Sequence, residues 1–193
     1  MIRDIIEFKY FNNLLIKLIK LRTEPMKLTI IQGNITKVKA DAIVNAAHHT
    51  LMGGGGVDGA IHKNAGSALI EECIRLRNDK LPNGLATGEA VPTKAYNLPA
   101  RIIIHTVGPR YYSDNLDLLK NCYINSLKLA EDNGCKSIAF PAISTGAYGT
   151  PIEKSVEIVK EVLDNYNSEI IEEIILVLFK KEDFEVYKKE FNE

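Results

Sequence analysis

Four consecutive glycines, Gly53 to Gly56, are followed two residues later by a single acid, Asp58. The apolar segment Ala42 to Ala46 precedes this loop, and a helical pattern follows it. Glycines let main-chain N–H groups approach a ligand closely, and a helix N-terminus adds partial positive charge. Together these features favour binding of a phosphate or diphosphate group. The Walker pattern is excluded because Gly-Lys-Ser/Thr is missing, and GxGxxG is excluded because position 58 is Asp.

A second glycine-containing loop spans residues 141 to 149, with the sequence PAISTGAYG. It also follows a buried strand pattern and precedes a helix. In an open α/β sheet, ligands bind beyond the carboxyl ends of the strands. We therefore predict that the two loops face each other and that each holds one side of a diphosphate. Tyr148 offers a flat face for a sugar, and packing within the turn is the alternative role.

The sequence is compatible with two alternative roles for Asp58. A carboxylate beside a phosphate site is electrostatically unfavourable unless it orients a hydroxyl group or activates water. The alternative is an acid at a helix N-terminus that the helix dipole stabilises. His62 follows one turn later and shares a helix face with Asp58, but we interpret it as structural. His48 and His49 fall in the loop, His105 falls in an apolar strand, and none of them has metal-ligand spacing.

Strand and helix patterns alternate between residues 27 and 191. The predicted strands are Lys27–Gln32, Ala42–Ala46, Glu89–Thr93, Ile102–Val107, Ser137–Phe140 and Glu173–Phe179. The predicted helices are Val57–Ala65, Ser67–Arg77, Leu116–Asn133, a helix starting at Pro151, and Asp183–Phe191. Residues 78 to 88 are predicted to be a loop. This alternation predicts an α/β fold, a three-layer α/β/α sandwich.

Residues 1 to 25 have a different pattern. Apolar side chains such as Leu15 and Leu18 recur at helical spacing among lysines, and Pro25 closes the segment. We predict an amphipathic helical extension that packs on the domain or pairs with another subunit, with a membrane-surface helix as the alternative. Its charges exclude a secretory signal and a bilayer span. Residues 26 to 193 are predicted to form the domain, and Met26 is a candidate for a second start codon.

The composition limits the function classes. The 193 residues are 46% apolar and 25% charged, which is typical of one globular domain. The formal net charge is −1 and no long basic run is present, so nucleic-acid binding through a basic surface is not expected. Cys73, Cys122 and Cys135 lack CxxC spacing, which predicts reduced thiols in a cytoplasmic protein.

Several motifs, in order along the chain, resemble the macrodomain family. They are GNIT at residues 33 to 36, DAIVNAA at 41 to 47, LMGGGGVDGAIH at 51 to 62 and SIAFPAISTGAYG at 137 to 149. The similarity covers about residues 27 to 190 and is greatest to the MacroD-type branch, which includes bacterial O-acetyl-ADP-ribose deacetylases. The resemblance implies a mixed central sheet with an ADP-ribose cleft at its top.

The resemblance also implies a hydrolase that needs neither metal nor cofactor. Its partners would be ADP-ribose, O-acetyl-ADP-ribose and proteins that bear mono-ADP-ribose on acidic side chains. Asp58 would position or activate the attacking water with His48 as its catalytic partner, and Phe179 would stack on adenine. The other implied ligand contacts are Asn34, Ile35, Asn45, Gly54, Gly55, Gly56, Val57, Ser144, Thr145, Gly146, Ala147 and Tyr148.

Two positions depart from the family pattern. The family usually has an Asp where this chain has Asn34, and that Asp accepts a hydrogen bond from the adenine amino group. The Asn34 amide oxygen can also accept, so we expect binding to weaken by about 1 kcal/mol. His48 replaces an Asn that contacts the distal ribose; it could donate a hydrogen bond, act as a general base or block the productive pose. The alternatives to a hydrolase are a non-catalytic ADP-ribose reader and a module that processes nucleotides or nucleic acid.

Overall fold

In the computed structural model, which describes residues 26 to 192, six strands form one sheet. They are β1 (Lys27–Gln32), β2 (Ala42–Ala46), β3 (Ala90–Lys94), β4 (Ile102–Thr106), β5 (Ser137–Pro141) and β6 (Glu173–Leu178). Their spatial order is β1-β6-β5-β2-β4-β3. Neighbouring strands are parallel except for β3, which runs antiparallel to β4. The sheet is therefore mixed, as predicted, and the carboxyl ends of its parallel strands lie along one edge.

Helices cover both faces of this sheet. They are α1 (Gly56–Ala65), α2 (Ser67–Lys80), α3 (Leu118–Asp132), α4 (Ile152–Asp164) and α5 (Lys181–Phe191), together with a 3-10 helix at Ile35–Lys37. Successive strand residues face opposite layers. Ala42 and Val44 belong to the core under α3, α4 and α5, and Ile43 belongs to the core under α1 and α2. The predicted three-layer α/β/α sandwich is confirmed.

The element bounds differ from the predicted ones by up to three residues. Helix α2 continues to Lys80, and its last three residues, Asn78 to Lys80, are exposed. Polar residues on a solvent-facing turn leave no apolar periodicity, so the predicted end at Arg77 was too early. Strand β6 ends at Leu178, which leaves Phe179 just beyond the strand in which it was predicted.

Three further predictions concern the N-terminal extension, membrane spans and the cysteines. The predicted helical extension at residues 1 to 25 lies outside the described residues. Among residues 26 to 192, no helix has both the length and the apolar character required to cross a bilayer. Cys73, Cys122 and Cys135 are buried free thiols, which is the reduced state that their spacing predicts.

Candidate functional site

The two predicted glycine loops face each other across a cleft of about 310 Å³ at the carboxyl edge of the sheet. The loop after β2 and the first turn of α1 form one wall, and the loop after β5 forms the other. The lining residues are Ala46, Ala47, His48, Gly54, Gly55, Gly56, Val57, Asp58, Gly108, Ala142, Ser144, Gly146, Ala147 and Tyr148. Gly108 was not predicted, although its place just after β4, a third strand ending at the same edge, is the signal that could have revealed it.

The glycine loop is held close to the helix that it precedes. Gly56 has φ of +57°, a left-handed conformation that side chains other than glycine rarely adopt. A Cβ atom on Gly59 would overlap the carbonyl oxygen of Gly54. The first turns of α1 therefore pack directly on the main chain of the loop, which lets glycine main-chain groups line the cleft.

Asp58 is buried, with only 3% of its surface exposed, although it lies in the first turn of a helix. Its Oδ1 accepts a 2.8 Å hydrogen bond from Nδ2 of Asn45, and its Oδ2 accepts a 3.3 Å bond from the main-chain N–H of His48. Nε2 of His62 lies 3.5 Å from Oδ1. These contacts exceed what a solvated helix-terminal acid would make, so a purely dipole-stabilised role does not describe Asp58.

A chain of hydrogen bonds continues from Asp58 into the sheet. Nδ2 of Asn45 also lies 3.1 Å from Nδ1 of His105, and Nε2 of His105 lies 2.9 Å from Oγ1 of Thr93. Because the Asn45 amide group donates, Nδ1 accepts and the neutral imidazole holds its proton on Nε2. Burial, with a smaller contribution from nearby His62, lowers the pKa of His105 to about 3. His105 is thus the hydrogen-bonded core histidine that the sequence predicts.

His48 lines the cleft but makes its contact with Asp58 through the main chain. Its Nδ1 lies 2.9 Å from Oγ1 of Thr50 and accepts a 3.4 Å bond from the Thr50 N–H. Its ring also packs on His49, with 4.5 Å between the ring centroids. The imidazole is therefore fixed beside Thr50, and its catalytic role stays a prediction.

His62 was predicted to be structural, but it lies against the Asp58 carboxylate. This partly buried histidine and the buried Cys73 and His105 also form a group whose potential metal-ligand atoms lie within 4.8 Å of one another. Both nitrogens of His105 already have hydrogen-bond partners. Burial raises the pKa of the Cys73 thiol to about 12, which keeps it protonated. We interpret this group as packing behind Asp58, because both His105 nitrogens already have hydrogen-bond partners and the Cys73 thiol is uncharged.

The second wall is shaped by bonds within its own loop. The N–H of Thr150 donates to the carbonyl of Ser144 at 3.0 Å, and Oγ1 of Thr145 donates to the carbonyl of Ala142 at 3.0 Å. Outside the cleft, the guanidinium of Arg110 lies 5.6 Å from the ring centroid of Tyr148. This cation–π contact holds the tyrosine ring at the rim.

Five predicted ligand contacts lie outside the lining of this cleft: Asn34, Ile35, Asn45, Thr145 and Phe179. Asn45 is behind Asp58, and Ile35 is a buried residue of the 3-10 helix that follows β1. Oδ1 of Asn34 already accepts bonds from the N–H and the hydroxyl of Thr36, at 3.0 and 2.8 Å. This oxygen is therefore engaged within the turn, and its contact with a ligand stays a prediction. Phe179 is 77% exposed at the same edge of the sheet as the cleft.

Comparison with known proteins identifies the architecture. The family model described as Macro domain matches residues 44 to 159. The chain belongs to the macrodomain family. The matched region includes both walls of the cleft and the buried Asp58, so the predicted family resemblance is confirmed.

Relatives of this macrodomain align over most of its length. O-acetyl-ADP-ribose deacetylase 1 of Pantoea vagans is 46% identical over 171 residues, which cover 86% of this chain and 99% of the relative. The solved Oceanobacillus iheyensis macrodomain with ADP has 41% identity and a TM-score of 0.82, covering 87% and 92% of the two chains. The Trypanosoma brucei macrodomain in complex with ADP-ribose has 37% identity and a TM-score of 0.76, covering 86% and 71%.

Proposed function

We propose that this macrodomain is an ADP-ribose-binding hydrolase that removes acetyl from O-acetyl-ADP-ribose or mono-ADP-ribose from acidic protein side chains. The observation on which the proposal rests is a buried carboxylate, Asp58, in a cleft lined by glycine main chain. The activity for which the Pantoea vagans relative is named and the ligand of the Trypanosoma brucei structure support this proposal.

In this proposal the cleft holds the diphosphate and the distal ribose. Main-chain N–H groups of Gly54 to Gly56 and the N-terminus of α1 supply the positive potential that phosphates need. Residues 144 to 148 close the opposite side. A main-chain cradle suits a diphosphate because it provides donors without placing a lysine beside the reacting ester.

Asp58 accepts a hydrogen bond from the attacking water and orients it. The water oxygen adds to the ester carbonyl carbon, and the bond between that carbon and the ribose oxygen breaks. The proton that the water gives up passes to the ribose oxygen, which leaves as a hydroxyl group. The products are a carboxylic acid and ADP-ribose. Asn45 and the His48 N–H hold the carboxylate in one orientation, which favours a fixed position for the water.

The base lies at the other end of the ligand in this proposal, against Phe179 and beside Asn34. Strands β1 and β6 are parallel neighbours, and the Gly33 N–H donates to the carbonyl of Leu178 at 2.9 Å. Both chain segments therefore leave the sheet side by side at the carboxyl edge. An exposed aromatic ring at this place offers a stacking surface for a purine.

A non-catalytic ADP-ribose reader is the second candidate function. It is favoured by His48, which lines the cleft and whose ring Nδ1 lies 2.9 Å from Oγ1 of Thr50. A fixed imidazole in this place would occupy space near the Asp58 carboxylate. A reader would bind ADP-ribose without converting O-acetyl-ADP-ribose.

The test measures hydrolysis of O-acetyl-ADP-ribose and of a mono-ADP-ribosylated acceptor protein. We expect Asp58→Asn to lower turnover by at least a hundredfold while ADP-ribose still binds. Asp132→Asn, an exposed acid at the end of α3, is the matched control and should retain full turnover. Equal turnover by wild type and Asp58→Asn would exclude Asp58 from the chemistry.

A His48→Asn variant separates the two candidate functions. If wild type binds ADP-ribose but hydrolyses neither substrate, and His48→Asn hydrolyses either one, the native chain is a reader. Calorimetry with ADP-ribose tests the cleft itself, and absence of binding at millimolar ligand would reject both functions.

A further inference from the structure

Two arginines near the cleft lack carboxylate partners. The guanidinium of Arg110 lies 5.6 Å from the ring centroid of Tyr148, a residue of the cleft wall. The guanidinium of Arg77 donates 3.4 Å hydrogen bonds to the carbonyl oxygens of His49 and Pro82. Within the described part of the chain, neither guanidinium forms an ion pair with a carboxylate. Both positive charges are therefore available to a partner.

These two charges lie at the opening of the cleft, one beside each wall. The exposed His49 ring packs on the ring of His48, with 4.5 Å between the centroids, and His48 lines the cleft. Arg77 is bonded to His49 on this side, whereas Arg110 lies over Tyr148 on the other. Burial, followed by the positive charges of basic neighbours that include Arg77 and Arg110, lowers the pKa of His49. The charge of Arg110 thus reaches the opposite wall, and the opening carries a positive potential.

An exposed aromatic ring extends this surface. Tyr112 is 90% exposed, and a Cβ atom on Gly149 would lie 3.6 Å from its ring, so the ring lies over the main chain of the second wall. The N–H of Tyr111 donates a 2.9 Å bond to the carbonyl of Tyr148, which joins this turn to the same wall. Tyrosine and arginine are enriched in protein interfaces. The side chains around the opening form a rim surface, which consists of His49, Arg77, Arg110 and Tyr112.

We propose that the rim surface binds an acidic segment of the acceptor protein, so that mono-ADP-ribose is removed fastest from carboxyl groups that have other acids beside them. The inference rests on the proposed function, in which a modified carboxyl group reaches Asp58 in the cleft. The acceptor chain then passes over the rim, because the ester joins it to the ribose inside. Guanidinium groups bind carboxylates through paired N–H donors, and the Tyr112 ring offers a surface for the hydrocarbon of the segment.

A nucleic acid fits this surface less well than an acidic peptide does. Binding to a phosphate backbone depends on how many phosphates are neutralised, and it strengthens with each added cation. The rim surface offers two guanidinium groups, and the whole chain has a formal net charge of −1. Two carboxylates match these two groups in number and in planar geometry. The charge complementarity therefore favours a short acidic stretch of protein.

The experiment compares two peptides that each carry one mono-ADP-ribosylated Glu. In the acidic peptide the neighbouring residues are Asp and Glu, and in the neutral peptide they are Asn and Gln. We expect the full wild-type chain to hydrolyse the acidic peptide with about fivefold higher kcat/KM at low ionic strength, because exposed ion pairs each contribute modestly. The ratio should approach one in about 0.5 M salt, which screens exposed charges. Equal kcat/KM for the two peptides at low ionic strength would overturn the proposal.

Arg110→Gln tests the rim surface directly. We expect the ratio of the two kcat/KM values to fall to about twofold, and to about one in Arg77→Gln/Arg110→Gln. The ratio is informative because both peptides share one ester and one cleft, so a general effect on folding or on Tyr148 cancels. Arg75→Gln, an exposed change on α2, is the matched control and should keep the fivefold ratio, because residues two apart on a helix face different directions. An unchanged ratio in Arg110→Gln would overturn the proposal.

Calorimetry separates the rim surface from the chemistry. Asp58→Asn, for which the proposed function predicts binding without turnover, is titrated with the same two peptides, and the acidic one should bind about fivefold more tightly. If wild type hydrolyses neither peptide, the proposed hydrolase function fails, and this ratio of affinities still decides the inference, because equal affinities would overturn it. A single-stranded oligonucleotide that displaces the acidic peptide at a lower concentration than its unmodified form does would assign the rim surface to nucleic acid and also overturn the proposal.

Discussion

The side-chain amide of Asn45 donates a 2.8 Å hydrogen bond to Oδ1 of Asp58 and lies 3.1 Å from Nδ1 of His105. Asn45 and His105 are register partners on neighbouring strands. One amide group therefore connects the cleft carboxylate to the middle of the sheet. A buried carboxylate is stable only when donors satisfy it, and donors that belong to a rigid sheet also fix its direction.

Replacing Asn45 with Ala should reduce both stability and turnover. The change removes a donor from the buried Asp58 carboxylate and another from His105. Loss of a bond to a charged group costs about 1.5–3 kcal/mol, so we expect the free energy of unfolding to fall by about that amount. We also expect turnover of O-acetyl-ADP-ribose to fall at least tenfold, because the carboxylate loses its fixed orientation. Urea unfolding and initial rates measure the two effects.

Thr93→Val is the control for Asn45→Ala. It removes the hydroxyl group at the far end of the same chain of hydrogen bonds, 2.9 Å from Nε2 of His105. A neutral buried bond contributes about 1 kcal/mol, so some stability should be lost. Turnover should stay within twofold of wild type because Asp58 keeps all its contacts. A similar loss of turnover in both variants would mean that general stability, and not orientation of Asp58, limits the rate.

Replacing His62 with Phe should lower turnover more than it lowers ligand affinity. Nε2 of His62 lies 3.5 Å from Oδ1 of Asp58, and the ring is absent from the lining of the cleft. Phe keeps a ring in this place but sets hydrocarbon against a carboxylate, which disfavours its charged form. We expect kcat to fall about tenfold with KM within twofold. Lys63→Gln, an exposed change on the next residue, should alter neither value.

The sequence predicts the two walls of the cleft because each wall is one continuous segment. The local signals are the glycines, a strand pattern before them and a helix pattern after them. The side-chain direction of Asn45 is also predictable in part. It has the same parity as Ile43, so it points towards the layer that contains α1. His105 has the same parity as Ile103 and faces the same layer.

The contacts of Asp58 could not be predicted from the sequence. They join side chains and main chain from separate elements, and their distances depend on how α1 packs on β2. His48 shows the difficulty most directly, because its position ten residues before Asp58 suggests a side-chain pair. In the structure the main-chain N–H makes the contact, and every residue type except proline would supply that group at position 48. The bonds from Thr36 to the Asn34 amide oxygen were also not predicted, because they depend on the geometry of the local turn.

Acid should destabilise the fold through His105. Burial and nearby His62 lower the pKa of its imidazole from the usual 6.5 to about 3. Between these values the unfolded chain binds a proton that the folded chain does not, so stability is lost as the pH falls from about 6.5 towards 3. The loss approaches about 1.4 kcal/mol per pH unit from this one group. Urea unfolding at several pH values measures the slope.

His105→Gln isolates this contribution to the pH dependence. Glutamine keeps hydrogen-bonding capacity but cannot be protonated, so the variant should show a smaller loss of stability between pH 6 and pH 4. Carboxylates elsewhere affect wild type and variant equally and cancel in the difference. Parallel slopes for the two proteins over this range would show that His105 does not control the acid response.

Replacing Gly59 with Ala should destabilise the domain, although Ala normally favours a helix interior. An ordinary Gly→Ala change within a helix stabilises by about 1 kcal/mol. At Gly59, however, the added Cβ would overlap the carbonyl oxygen of Gly54, and main chain cannot move aside as a flexible side chain can. We expect the free energy of unfolding to fall by about 1–3 kcal/mol and the ADP-ribose affinity to fall more than tenfold, because the glycine loop must shift.

Gly33→Ala, with no atom within 4 Å of the added Cβ, is the control and should change stability by less than about 0.5 kcal/mol. If Gly59→Ala were more stable than wild type, the loop and the helix would not be packed as the structure has them.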